Sequence, residues 1–418
     1  MNIGALFFWK RGLMTLNKII KDKISEYKED AIETRRYLHK YPEVSSKEFE
    51  TSKYLKKACK DLGLLVEDIE GSTGFTALLD TGKPGKTLGL RTDIDALAID
   101  EDPKNLKKEK KVVSQNKGVS HACGHDSHMS IVLTSAKILL DLKDELKGKI
   151  YFIFEEAEET GAGIEAMVSH LKDKGLDAVY GNHQSPALDT GYFNIRRGAN
   201  HAGCAGIEFD VVGKGGHGSR PDKLINPLIA AAHIVTGLNS AWNNQLDVEK
   251  PITLGIGAIN GGSAPNVIPD RVKVKGTLRF YDTDQAIKAL EVVKNLADLT
   301  ARAHGAKVEF ADYTKIVAEP VINDEALADL ARVSLEDIFP GALVESKPGW
   351  GSESFYGYGK LCPTVFSHFG IRNEEEGIGA GAHTDKFDLD EEGISYALGF
   401  LLRFALDFLN ERKIDDRA

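Results

Sequence analysis

Apolar strands alternate with helical segments through the middle of the chain, and this alternation is the feature that most restricts the possible fold. Residues 87–93, 150–154 and 178–181 are short, strongly apolar segments. Residues 126–146 and 163–174, which separate them, carry apolar side chains at helical spacing. Apolar strands joined by helices are typical of a parallel sheet that is covered on both faces. The pattern therefore predicts an α/β domain with a mostly parallel sheet flanked by helices.

Side chains that can bind a metal follow the strands of this predicted sheet. In open α/β sheets, sites form outside the carboxyl ends of the strands. The segments that leave those ends carry Cys123, His125, Glu158, Glu159 and His183. Each of these residues alone also has a structural explanation, as part of a helix cap, a solvated acidic turn or a hydrogen-bonded core histidine. Their placement at one edge of the sheet favours a shared site.

The residue types at this edge indicate a metal centre. Thiolate, imidazole and carboxylate are the ligands of zinc and related ions. His383, in a glycine-rich loop where a binding role is natural, completes a set that suffices for two divalent ions and a bound water. Glu158 and Glu159 are adjacent, so in an extended chain their side chains would point in opposite directions. One would bind metal while the other takes a proton from the water, as metal-assisted hydrolysis requires.

The pattern changes from about residue 198. Strands and helices then follow in the order βαββαβ, at residues 207–212, 226–240, 252–259, 272–281, 284–303 and 307–311. This order is typical of a ferredoxin-like α+β unit, an antiparallel sheet with two helices on one face. The α/β pattern resumes afterwards. The sequence therefore predicts a first domain of residues 15–198 and 313–418, interrupted by an inserted domain of residues 199–312.

Length, charge and cysteine usage exclude several classes of protein. A chain of 418 residues is expected to form two domains. A formal net charge of -10 disfavours a nucleic-acid partner, which needs a basic face. Four cysteines without regular spacing do not form a disulfide framework, which favours a reducing cytoplasm. No segment is apolar enough to span a bilayer, the first residues lack the features of a signal peptide, and Met14 is an alternative start to Met1.

Seven stretches of the chain resemble the M20 metallopeptidases. Within that family they resemble the amidohydrolase branch, which includes the auxin-conjugate, hippurate and aminobenzoyl-glutamate hydrolases. The stretches run in family order and cover nearly the whole chain after Lys18. They are RRYLHKYPE at 35–43 with Glu48 following, LRTDIDAL at 90–97, SHACGHDSH at 120–128, AEE at 157–159, GKGGHG at 213–218, APNVIPD at 264–270 and GTLR at 276–279.

The resemblance implies a role for individual residues. It implies that two divalent metal ions are bound by Cys123, His125, Glu159, His183 and His383. Zinc or manganese is expected, with cobalt or nickel as alternatives. The first glutamate of the pair, Glu158, would be the general base.

The resemblance also implies a role for the inserted domain. That domain would act as a lid and mediate homodimerisation, and its His217 would stabilise the oxyanion. Asn266 and Arg279 would bind the carboxylate of the substrate, a task suited to a guanidinium.

We therefore expect metal-dependent hydrolysis of the amide bond of small N-acyl amino acids. A dipeptidase or carboxypeptidase would use the same residues, so this alternative stays open. A non-catalytic binding protein on the same scaffold would have no need of Glu158 and the five ligand positions. Related enzymes usually have Gln-Pro where this chain has Glu155 and Glu156, so the metal site is expected to carry extra negative charge.

Overall fold

The computed structural model describes the backbone of residues 3–412 and the side chains of residues 15–412. The side chains of both alternative starts, Met1 and Met14, lie outside the described part. The helices are α1 (Ile3–Lys40), α2 (Phe49–Asp61), α3 (His125–Asp141), α4 (Ile164–Leu171), α5 (Pro227–Gln245), α6 (Thr283–Ala303), α7 (Glu325–Ile338) and α8 (Glu392–Leu409). None of the helices described is long and apolar enough to cross a membrane.

The strands are short and fall into two main sheets. They are β1 (Leu65–Asp68), β2 (Phe75–Asp80), β3 (Thr87–Asp93), β4 (Lys149–Glu155), β5 (Ala178–Asp189), β6 (Phe193–Ile195), β7 (Gly198–His201), β8 (Gly203–Val212), β9 (Gly216–His217), β10 (Ile252–Asn260), β11 (Val267–Ile268), β12 (Arg271–Phe280), β13 (Lys307–Phe310), β14 (Ile316–Ala318), β15 (Val321–Asn323) and β16 (Thr364–Arg372).

The chain divides into two compact units. The first contains the residues up to Gly198, then Ile322–Lys347, and then the chain from Gly357 onwards. The second contains Ala199–Val321 and Pro348–Tyr356.

Seven strands form the sheet of the first unit, in the order β1-β2-β4-β3-β5-β16-β6. The central strands β4, β3, β5 and β16 are mutually parallel, as their apolar runs predict. β1, β2 and β6 at the two edges form antiparallel pairs with their neighbours. β1 and β2 are antiparallel because a short turn joins them, whereas parallel neighbours need a crossover connection. The mostly parallel sheet predicted from the sequence is confirmed, within a mixed sheet.

Helices cover the sheet of the first unit and bury its apolar side chains. α3 presents Ile131, Leu133 and Ile138 to the core, and none of these is more than 1% exposed. α8 is buried along almost its whole length, including Phe404 and the charged Arg403. This packing fixes the start of α3, and with it the segment that carries Cys123 and His125.

The second unit contains an antiparallel sheet in the order β10-β12-β8-β13, with β14 also paired to β8. α5 and α6 pack against this sheet, so the elements follow the order βαββαβ. The unit continues to Val321, beyond the predicted boundary at residue 312, because β14 pairs with β8. Residues 348–356 also belong to it, since Gly349 accepts a hydrogen bond from the Ala202 amide at 3.0 Å.

Candidate metal centre

The structure brings together the six residues that the sequence places at one edge of the sheet. Cys123 Sγ lies 3.4 Å from His183 Nε2. Glu159 lies between two histidines, with Oε1 3.7 Å from His125 Nε2 and Oε2 3.4 Å from His383 Nε2. All six residues belong to the first unit. His183 is inside β5, which continues to Asp189, whereas the sequence pattern ends this strand at residue 181.

Two of the four groups of ligand-type atoms in the described part of the chain share one sulfur atom. Cys123, His125 and His183 each offer an atom within 4.8 Å of the others, and so do Cys123, Glu159 and His383. The Cys123 thiolate belongs to both groups and could serve as a ligand in either.

Hydrogen bonds fix which ring nitrogen of His125 and of His183 can bind a cation. His125 Nδ1 donates to the Asp95 carbonyl at 2.9 Å and lies 3.1 Å from Asp95 Oδ1. His183 Nδ1 donates to the Gln184 carbonyl at 2.6 Å. In both neutral rings the lone pair is therefore on Nε2, the atom that faces the other ligand-type side chains. Such outer hydrogen bonds usually set the tautomer of metal-binding histidines.

His128 is close to the same site, but both of its ring nitrogens are already used. Its Nδ1 donates to Asp93 Oδ1 at 2.8 Å, and its Nε2 accepts from the Gln184 amide at 2.9 Å. His128 thus supports the loop through both of its ring nitrogens.

The electrostatics of the site fit a cation. His125 Nε2 and Glu159 Oε1 are buried and have no hydrogen-bond partner among the described residues. Burial raises the pKa of the Cys123 thiol. His125 opposes this increase, and the carboxylates of Glu159 and Glu158 reinforce it. Burial would lower the pKa of His125, but Asp93, the Cys123 sulfur and the bond to Asp95 raise it well above its ordinary value. A divalent ion would satisfy both orphaned atoms and stabilise the thiolate.

His383 and Glu159 behave as a pair. The hydrogen bond with Glu159 raises the pKa of His383, although partial burial opposes the shift. Burial would raise the pKa of Glu159, but His383 and His125 lower it. Glu159 is therefore ionised at neutral pH and available as an anionic ligand.

The geometry of the glutamate pair differs from the extended chain assumed from the sequence. Glu158–Thr160 is a 3₁₀ turn that begins after Ala157, whose φ is 53°. The turn brings ligand atoms of Glu158 and Glu159 within 4.8 Å of each other and of His125, so the two side chains do not point in opposite directions. The expectation was wrong because the left-handed Ala157 ends the strand geometry two residues after β4.

A buried carboxylate to which no role is assigned from the sequence anchors this turn. Glu48 Oε1 accepts from the Ala157 amide at 2.9 Å, and its Oε2 accepts from Thr73 Oγ1 at 2.7 Å. His383 also has a positive φ, of 62°, and its amide donates to the Ala122 carbonyl at 2.9 Å. Non-glycine residues in this conformation are strained, and such strain concentrates at functional sites.

Asp93 and Asp95 are the other supporting residues without a role assigned from the sequence. Asp95 Oδ2 accepts from Ser45 Oγ at 2.7 Å and from the Glu159 amide at 3.1 Å, while Oδ1 faces His125. Their position in the sequence could have indicated this role, because both aspartates lie at the carboxyl end of the apolar strand β3, at the same sheet edge as the ligand-type residues.

Glu155 and Glu156 are both engaged by polar neighbours. Glu155 Oε2 is 2.8 Å from Arg91 Nε and accepts from Tyr358 Oη at 2.7 Å. Glu156 Oε2 accepts from the Thr73 amide at 2.7 Å, and Thr73 Oγ1 lies 2.7 Å from it. Arg91 also pairs with Asp93, so one positive charge faces two carboxylates, and the extra negative charge expected at the site stays a prediction.

The remaining predicted site residues lie in the second unit. His217 in β9 and Asn266 just before β11 are exposed, and pairing of these strands keeps them near each other. Gly218 donates to the Asn266 carbonyl at 2.8 Å. Arg279 in β12 is half-buried and donates to Ser352 Oγ at 3.1 Å.

Comparison with known proteins identifies the family. Residues 89–407 match Peptidase family M20/M25/M40. The chain belongs to this family. It is thus a hydrolase of amide bonds, of the metallopeptidase and amidohydrolase type, and the resemblance read from its motifs is confirmed.

Relatives extend over almost the whole chain. Thermostable carboxypeptidase 1 of Saccharolobus solfataricus is 34% identical over 386 residues, covering 91% of this chain and 95% of the relative. N-acetyl-L-cysteine deacetylase of Bacillus subtilis is 32% identical over 396 residues, covering 94% and 92%. The crystal structure of the Bacillus subtilis YXEP protein, a dinuclear metal binding peptidase from the M20 family, has a TM-score of 0.79 and 28% identity, covering 92% and 99%.

Gly124, between Cys123 and His125, should be intolerant of a side chain. Its φ is 75°, and a Cβ would lie 2.7 Å from Gln184 Cγ. Gly71 has the same φ with nothing within 4 Å, and is a matched control. We expect Gly71→Ala to lower the free energy of unfolding by about 1–2 kcal/mol and Gly124→Ala by about 2–4 kcal/mol, measured by urea denaturation. Equal losses would show that Gln184 moves without cost.

Proposed function

We propose that the protein hydrolyses the amide bond of small N-acyl amino acids with two divalent metal ions. The observation that supports this most directly is the pair of ligand groups that share Cys123, with the carboxylate of Glu158 beside them. The N-acetyl-L-cysteine deacetylase of Bacillus subtilis, 32% identical, acts on a substrate of this class by its name.

The residues proposed to bind the ions are those expected from the sequence. Cys123, His125 and His183 would hold one ion, and Cys123, Glu159 and His383 the other. Zinc and manganese are the ions we favour, with cobalt or nickel as alternatives, because a thiolate with imidazoles and a carboxylate suits late transition ions. The YXEP protein, one of the relatives of known structure, is a dinuclear metal binding peptidase.

Glu158 is proposed as the general base. When bound, the ions would lower the pKa of water and polarise the scissile carbonyl. Glu158 lies in the turn that also holds Glu159, so its carboxylate is close to the ligands. It would take a proton from the attacking water and transfer it to the leaving nitrogen, and the hydrogen bond from the Ala157 amide to Glu48 would help to hold the turn in place.

His217, Asn266 and Arg279 are proposed to act on the substrate. His217 Nδ1 accepts from the Ser219 amide at 3.2 Å, so the neutral ring carries its proton on Nε2. That N–H is a donor suited to an oxyanion. Arg279 uses one nitrogen for Ser352, and its remaining donors could bind a carboxylate in bidentate fashion together with Asn266.

We also propose that the second unit acts as a lid and forms a homodimer, as the resemblance implies. All four cysteines are free, which fits a reducing cytoplasm.

A peptidase is the second candidate function. Thermostable carboxypeptidase 1, at 34% identity, favours it. The proposed metal ligands and base would serve both reactions equally. The two functions therefore differ only in the acyl part of the substrate, which is a simple acyl group for the amidohydrolase and an amino acid or peptide for the peptidase.

Replacing the proposed base should separate catalysis from metal binding. We expect Glu158→Gln to lower kcat by about 10²–10⁴-fold, because the proton acceptor is lost. The metal content of this variant, measured by elemental analysis, should be unchanged. Cys123→Ala should instead lower the metal content. Glu165→Gln, on the exposed face of α4, is the control and should leave both unchanged. A fully active Glu158→Gln enzyme would exclude Glu158 as the base.

His217→Ala should lower kcat by about 10²–10³-fold, because an oxyanion donor is lost. Metal content should stay normal, since His217 is not among the proposed ligands. His304→Ala, another histidine of the second unit, is the control and should keep the full rate. Loss of metal from His217→Ala would show that His217 has another role.

Rates on matched substrates should distinguish the two candidate functions. We expect N-acetyl amino acids to be hydrolysed with higher kcat/KM than dipeptides that carry the same C-terminal residue. Both series should lose activity on treatment with a chelator and regain it with zinc or manganese. Higher kcat/KM on the dipeptides would favour the peptidase.

A further inference from the structure

Two carboxylates lie at the same distance from one histidine of the candidate metal centre. Asp93 Oδ2 and Glu159 Oε1 each lie 3.7 Å from His125 Nε2. Asp93, His125 and His128 also offer ligand atoms within 4.8 Å of one another. Distance alone therefore does not explain why Glu159 would bind an ion and Asp93 would not.

The difference between the two carboxylates is in their hydrogen bonds. Asp93 Oδ2 accepts from Arg91 Nη1 at 2.8 Å, and Asp93 Oδ1 faces His128 Nδ1 at 2.8 Å. Both oxygens of Asp93 are thus used by donors, one of them a guanidinium. Glu159 Oε1 has no hydrogen-bond donor in the described part of the chain. A carboxylate oxygen paired with a guanidinium is a weaker ligand, because the positive charge of the guanidinium repels a cation and the bond fixes the position of the oxygen.

Arg91 is itself held in place by a second carboxylate. Its Nε donates to Glu155 Oε2 at 2.8 Å, and the same oxygen accepts from Tyr358 Oη at 2.7 Å. Arg91, Asp93, Glu155 and Tyr358 are each no more than 1% exposed. The guanidinium lies between Glu155 and Asp93 and has little freedom to leave either of them.

We propose that Arg91, fixed by Glu155, is a positioning residue that keeps Asp93 out of the metal ligand set. The inference rests on the proposed metal-dependent function. A catalytic metal needs a coordination position that stays open for water or substrate, and an additional protein carboxylate would close it. Arg91 keeps that position open by engaging Asp93, and Glu155 balances the charge of Arg91.

Cobalt(II) is the probe for this proposal, because its visible absorption reports the number of ligands. The test variant is Arg91→Met combined with Glu155→Gln, which removes the guanidinium without leaving Glu155 as an unpaired buried charge. Released Asp93 should bind the ion, so the visible absorption should weaken as the coordination number rises. Cobalt affinity, measured by competition with a chelator, should increase about tenfold, whereas loss of an ordinary supporting residue lowers it.

Two further variants identify Asp93 as the cause. Adding Asp93→Asn to the double variant should return the spectrum to that of the unmodified protein. Glu155→Gln alone keeps the bond between Arg91 and Asp93 and should leave the spectrum unchanged. If the double variant fails to fold, Arg91→Lys keeps the charge but loses the two-sided guanidinium contact, and should shift the spectrum in the same direction.

The outcomes separate this inference from the proposed function. An unmodified protein without a thiolate-to-cobalt charge-transfer band would overturn both, because Cys123 would then not bind the ion. A normal band with an unchanged double-variant spectrum would overturn only the role of Arg91. So would a spectral change that persists after Asp93→Asn, because Asp93 would then not be the new ligand.

Discussion

The candidate site depends on the contacts of one buried carboxylate, Asp95. Its two oxygens and its carbonyl contact His125, Ser45 and the Glu159 amide. One residue just after β3 thus orients a histidine at the start of α3 and a glutamate in the turn after β4. Because Asp95 is fully buried, these hydrogen bonds are not weakened by exchange with water. The ligand-type side chains are therefore held in position by the fold itself.

The sequence predicted the parts of the site that follow from local pattern. Apolar runs located the central parallel strands, and the positions of Cys123, His125 and His183 relative to those strands placed them at one edge. The turn at Glu158 was not predictable in this way, because it depends on a left-handed Ala157 whose amide is bound by Glu48, 109 residues earlier.

The partners of buried charged groups were also not predictable from local pattern. The partners of Glu155 are Arg91 and Tyr358, 64 and 203 residues away, and no periodicity connects them. The C-terminal end of the second unit was not predictable from local pattern for a similar reason, since β14 joins this unit by pairing with β8. Local patterns predict elements and their ends, whereas compensation of buried charge is a property of the folded chain.

The two ligand groups differ in how far they reach towards solvent. The His383 side chain is 53% exposed, while that of His125 is fully buried. An ion held with His383 would exchange with the surroundings faster than one held by His125 and His183. If the centre binds two ions as proposed, the ion held with His383 would be the first to leave when a chelator is added.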